Sequence, residues 1–149
     1  MGLQHYKIRL IPTEFEGVVR EEGCWNERQP TEEELKEYCG ILPVDRSWGE
    51  VSEFRSRKGF GSVLYVWRDD KLVRELTVEW TPSEIDVLRK VCEQARRMNC
   101  DFYSDETGRR FTASVESCLS DWKETRSAKF VANPMKALVE RGGEIEGEG

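Results

Sequence analysis

The stretch from Ser62 to Met98 constrains this chain more than any other, because two apolar strands meet at Asp69-Asp70 and the second runs directly into an amphipathic helix. Ser62 to Arg68 is nearly all apolar through Val63, Leu64, Tyr65, Val66 and Trp67, the pattern of a central strand covered on both faces. Asp69-Asp70-Lys71 supplies the turn. The next strand puts Leu72, Leu76, Val78 and Trp80 on one face and Val73, Glu75, Thr77 and Glu79 on the other, with Arg74 falling on the apolar face. Thr81-Pro82-Ser83-Glu84 then reads as a helix start: a capping threonine, proline at the first helical position, and glutamate where a capping box needs it. Ile85, Leu88, Val91, Cys92, Ala95 and Met98 follow at helical spacing, and Asn99 is a left-handed terminator.

The flanking segments extend the same plan. Tyr6, Ile8 and Leu10 alternate with His5, Lys7 and Arg9, giving a half-buried strand that ends at Pro12. A Glu-rich loop of no readable path runs to Pro30. Thr31 and Glu34 form a capping box for a short helix that stops at Gly40, with Leu35, Tyr38 and Cys39 on its apolar face. Ile41 to Gly49 reads as loop, with Pro43 and Trp48 packed on the sheet, and Val51 to Arg57 as a strand. Cys100–Tyr103 and Arg110–Thr112 suggest a short hairpin, Ser114–Thr125 a helix, and Asn133-Pro134 the start of a last short helix through Val139. Adjacent strands joined by tight turns imply an α+β fold, a mainly antiparallel sheet with helices packed mostly on one face. Residues 1–141 are expected to form a single domain, followed by a flexible acidic tail over 142–149.

Composition narrows the function classes. A net charge of -6 disfavours nucleic acid, whose phosphates demand a basic face. No apolar run reaches the roughly 20 residues of a membrane helix, and the start of the chain carries no secretory or myristoylation pattern. Five cysteines without a CxxC pair suggest neither a disulfide framework nor a zinc ribbon, so the expectation is a cytoplasmic protein in a reducing compartment, with no cofactor and no metal.

No catalytic constellation stands out. His5, the sole histidine, lies on the polar side of a strand start and is read as solvated surface. Cys92 and Cys118 fall on apolar helix faces and read as core; Cys100, after a helix end and before Asp101, is the thiol to watch. Asp101, Asp105 and Glu106 lack the spacing of a Ca²⁺ loop and read as an acidic turn. Arg55-Ser56-Arg57-Lys58-Gly59-Phe60-Gly61-Ser62 combines three cations, a glycine pair and two hydroxyls in a turn before a strand, which serves either as an ordinary hairpin turn or as a cradle for an anionic ligand. Arg74 joins that ligand set if it faces a pocket; otherwise it needs a carboxylate, with Glu53 one candidate. Trp25, Tyr38 and Trp48 lie in or beside loops and read as core lids or as anchors for a partner.

Two functional readings follow. The first is a non-enzymatic protein-binding module of the inhibitor or immunity type, its acidic loops complementary to a basic protein surface. The second is a small-molecule anion binder or enzyme using the loop over residues 55–62. Neither specifies an oligomeric state.

Overall fold

A computed structural model describes residues 6–19, 23–58 and 60–125 of the chain. In order they form β1 (Tyr6–Pro12), α1 (Glu32–Cys39), β2 (Val44–Asp45), β3 (Val51–Arg57), β4 (Phe60–Asp69), β5 (Leu72–Trp80), α2 (Ile85–Arg97), β6 (Cys100–Ser104), β7 (Arg109–Phe111) and α3 (Val115–Trp122). The strands make one antiparallel sheet in the order β2-β3-β4-β5-β1-β6-β7, an α+β architecture. The expected helix after Asn133 and the acidic tail lie outside the described residues, as does His5.

β1 is the first strand in sequence but sits between β5 and β6, so the amino-terminal strand joins the central hairpins to the β6–β7 hairpin. Its inward residues Tyr6, Ile8 and Leu10 share a core with Leu64, Val66, Leu76, Val78 and Trp80, and with Leu88, Val91, Cys92, Ala95 and Met98 of α2. The helical stripe read from spacing is therefore the buried face of α2. Asn99 closes that helix with φ +55, as its residue type allows. Asp70 and Lys71, at φ +52 and +72, form the two-residue turn with both central residues left-handed, matching the twist of the flanking strands. The Thr31–Glu34 capping box is present in both directions. Of the segment read as loop after Gly40, Val44–Asp45 instead pairs with Arg55 and Phe54 as a short edge strand.

Two bulges break the simple alternation. Between β4 and β5, Trp67 faces Glu75 but Arg68 faces Val73, so Arg74 is the extra residue. A one-residue insertion swaps the faces beyond it. Val73 is consequently buried and Leu72 and Arg74 are exposed, which corrects the expectation that Leu72 and Arg74 lie on the apolar face. The second bulge adds a residue to β4 opposite Ser56, where Arg55 faces Val63 but Arg57 faces Phe60. Gly61 lies in this bulge at φ +92, a conformation a side chain would resist.

Trp25 and Gln29 anchor the long acidic loop to the sheet, in addition to the bonds that Arg110 donates to the Thr13 and Phe15 carbonyls. Trp25, fully buried, donates its indole N–H to the Leu10 carbonyl at 3.1 Å. Gln29 substitutes for a strand residue where β1 no longer reaches: its side-chain oxygen accepts from Val73 N–H at 2.8 Å and its amide donates to Val73 C=O at 3.0 Å. Unpaired backbone groups in a buried strand are costly, so this one side chain completes the ladder at the bulge. Replacing Gln29 with Ala should lower unfolding free energy by about 2 kcal/mol, because it strands both Val73 groups. Urea denaturation measures it, and a loss below about 0.5 kcal/mol means water serves these groups equally well.

Candidate functional site

The glycine-containing turn is built to hold an anion, and it already holds one. The bulge takes Ser62 N–H out of the ladder and turns it toward Glu84, whose Oε1 accepts from Ser62 N at 2.7 Å and from Ser56 Oγ at 3.1 Å. Ser62 N also donates to Ser56 Oγ at 3.1 Å. A Cβ on Gly61 would collide with Ser56 Oγ and crowd the Glu84 carboxylate, so glycine is needed both for its φ and for the space. Burial opposes ionisation of Glu84, but hydrogen bonds from Ser62 and Ser56 and the charge of Arg57 outweigh it and hold the carboxyl below its ordinary range.

The same contacts explain a correction in the helix start. Thr81 N–H donates to Ser62 Oγ at 3.0 Å, and the Glu84 carboxylate is drawn to Ser62 instead of returning to Thr81. Both partners of the box's return bond, the Thr81 N–H and the Glu84 carboxylate, are thus taken by one serine, while the Glu84 N–H bonds the Thr81 carbonyl and not its hydroxyl. Thr81–Glu84 becomes a turn, Glu84 occupies the cap position without a side-chain cap bond, and the helix begins at Ile85 instead of Pro82.

The remaining cations of the loop do not converge on an empty site. Arg55 is paired with the buried Glu53. The Arg57 guanidinium lies 5.3 Å from the centroid of the Phe60 ring, a cation–π contact. Lys58 is exposed in the turn, and Gly59 lies outside the described residues. Arg74 is at the far end of the sheet, 3.3 Å from Asp69, so the structure separates it from Arg55 and Arg57 and replaces Glu53 as its expected partner. Among the described residues, Arg55, Arg57 and Arg74 are thus engaged with Glu53, Phe60 and Asp69 respectively.

The three aromatic candidates also part company. Trp25 and Tyr38 are buried, and the Tyr38 hydroxyl lies 2.8 Å from the Thr77 carbonyl and 3.1 Å from that of Tyr65, with one proton to donate. They are core lids and offer no face to a partner. Trp48, expected to pack on the sheet, is instead 53% exposed. It bridges to Val51, which is opposite Trp67, so the three occupy one cross-strand row. Trp67 stacks on Tyr65 at 5.3 Å between ring centroids, donates to Thr77 Oγ1 at 3.0 Å, and keeps 37% of its surface accessible.

Arg74 leads to a feature that sequence reasoning missed. The acidic loop and the β4–β5 turn enclose two adjoining clefts that share Gly23, Asn26 and Arg74. The larger, about 600 Å³, is lined by Glu14, Phe15, Glu16 and Glu27; the smaller, about 250 Å³, by Asp69 and Leu72. Leu72 at the rim is 59% exposed. The signal was divided between a loop without periodicity and a turn whose bulge is not legible in residue type.

The thiols are ranked differently from expectation. Burial pushes Cys39 up to about 11 and Cys100 up to about 12, so neither is an activated nucleophile. Asp101 and Asp105 engage Arg110 and Arg9, each at 3.0 Å, as members of ion pairs across the sheet. No helix among the described residues is long and apolar enough to cross a membrane. Comparison with known proteins finds no matching family model, curated protein or solved structure.

Glu84 makes the loop's self-occupancy measurable. A carboxyl depressed in the folded state contributes stability that is present above its unfolded pKa, near 4.5, and is lost as pH falls through the lower folded value. Glu84→Gln should therefore be less stable than the parent chain at pH 7, with the gap closing below about pH 4.5. Thermal unfolding across pH 3 to 7 reads it, and a gap independent of pH would exclude the charged contact.

Proposed function

We infer that this chain is a non-enzymatic protein-binding module that occupies a partner with a basic surface, in the manner of small acidic inhibitor or immunity-type proteins. The observation that carries the reading is the acidic double cleft, where among the described lining residues Glu14, Glu16, Glu27 and Asp69 face one cation, Arg74, and Glu14 also pairs with Arg28 at 3.7 Å. It adjoins the β4–β5 turn, beside which Leu72, Trp48 and Trp67 keep apolar surface in contact with water.

This pairing of features suits recognition of a Lys- or Arg-bearing protein surface. Aromatic and aliphatic anchors supply most of the affinity of an interface, while the surrounding charges accelerate encounter and reject partners of like sign. Asp70 N–H donates to Glu50 Oε2 at 2.8 Å, tying the β4–β5 turn to the Trp48–Val51 turn. The apolar anchors therefore sit on connected, hydrogen-bonded turns, which limits the ordering cost of binding. A cytoplasmic location accords with the five free thiols.

Native mass spectrometry of the tagged chain recovered from its own host at low salt tests the reading. A stoichiometric protein should accompany the parent chain, be released as salt approaches about 0.5 M, where exposed charges are largely screened, and bind at least tenfold more weakly to Glu16→Lys/Glu27→Lys. Both positions are exposed, so folding should be unaffected. A partner retained equally by the reversed-charge variant and at high salt, or a small-molecule adduct in its place, would rule the assignment out.

A further inference from the structure

Cys92 and Cys118 lie 26 residues apart in sequence, yet their sulfurs approach to 4.0 Å between α2 and α3. Both are fully buried. Their positions follow from the apolar stripes of the two helices: Cys92 packs beside Val91 and Ala95 on one, and Cys118 faces it from the other. An S–S bond requires about 2.05 Å, so the two sulfurs need to close about 2 Å, a distance that side-chain rotation and a small helix shift can supply. The other three cysteines have different surroundings, and the Cys100 thiol is directed at the Met98 carbonyl at 3.6 Å.

We propose that Cys92 and Cys118 are a peroxide-reactive dithiol that closes reversibly into a disulfide joining α2 to α3. Either sulfur can donate across the 4.0 Å contact; with Cys118 donating, that bond and the nearby charge of Arg96 favour the Cys92 thiolate against its burial, whereas Cys118, buried and close to Asp121, is held above its ordinary range. Cys92 is thus the nucleophile and Cys118 the resolving thiol. The Cys92 thiolate attacks one oxygen of hydrogen peroxide, the O–O bond breaks, and hydroxide leaves to combine with the proton that Cys92 released, giving the first water. Cys118 then attacks the sulfenic sulfur of Cys92, loses its proton, and expels the hydroxyl as the second water. Two thiols give up two electrons and one peroxide accepts them.

Access comes from local opening of α3, an eight-residue helix of two turns. Hydrogen peroxide is small enough to use such an opening, whereas a bulky disulfide reagent is not. In the closed helix, Asp121 accepts from the Tyr6 and Thr107 hydroxyls, each at 2.6 Å, so α3 is tied to both β1 and the β6–β7 turn. The new bond would hold that arrangement shut. This inference is independent of the acidic cleft and of any partner.

Hydrogen peroxide in slight molar excess over the full chain, followed by non-reducing peptide mapping, provides the test. The expected result is a loss of 2 Da carried by a peptide pair linking Cys92 to Cys118, restored by dithiothreitol, with a midpoint of thermal unfolding raised on the order of 10 °C by closure of a loop of this length. Cys118→Ala should show neither the link nor the shift. Should that variant fail to fold, the parent map alone decides. Addition of oxygen without a link, a link through Cys24, Cys39 or Cys100, no reaction, or an unchanged or lowered midpoint would each overturn the proposal.

Discussion

Two inserted residues, one in each of two neighbouring strands, set the properties of this molecule more than any single apolar contact. At Arg74 the insertion reverses the faces of β5, burying Val73 and turning Leu72 and Arg74 out. That reversal creates the need for Gln29, and Gln29 with Trp25 holds the acidic loop against the sheet. The clefts lined by that loop and the turn follow from it. At Gly61 the insertion frees one backbone N–H, and the start of α2 reorganises around it. A bulge is small in energy but large in geometry, since it re-aims every side chain between itself and the end of the strand.

The occupied turn shows why cations and glycines in a sequence do not suffice to identify a ligand site. The physics that makes such a turn attractive to phosphate or carboxylate acts equally on the protein's own side chains. Glu84 is tethered nearby and has a far smaller entropic penalty to overcome than a free anion. The arrangement also joins the β3–β4 turn to the first turn of α2, so the anion contact is structural and contributes to fixing the helix against the sheet.

Much of the fold was legible because it rests on periodicity and end signals. Ile85 to Met98 at helical spacing, alternation from Tyr6 to Leu10, the Thr31–Glu34 box and the left-handed Asn99 all appear where residue type places them. What escaped depends on tertiary competition. Thr81 and Glu84 have the chemistry of a capping box, yet Ser62, 19 residues before Thr81, outcompetes them for each other. Trp25 and Trp48 are the same residue type in similar polar loops, and only the three-dimensional path buries one and exposes the other. Strand pairing brings Val51 opposite Trp67 and thereby assembles an aromatic row from distant segments. The acidic cleft has the same origin: its carboxylates were visible as charge, but their enclosure required the bulge.

The outermost strands limit how this sheet meets other molecules. β2 has two residues and β7 three, and the former is followed by backbone bonds from Arg46 and Trp48 that continue along β3. Such short borders offer few free main-chain groups to an incoming strand. Among the described residues the sheet is therefore a poor template for fibril growth or for capture of an extended peptide by backbone pairing.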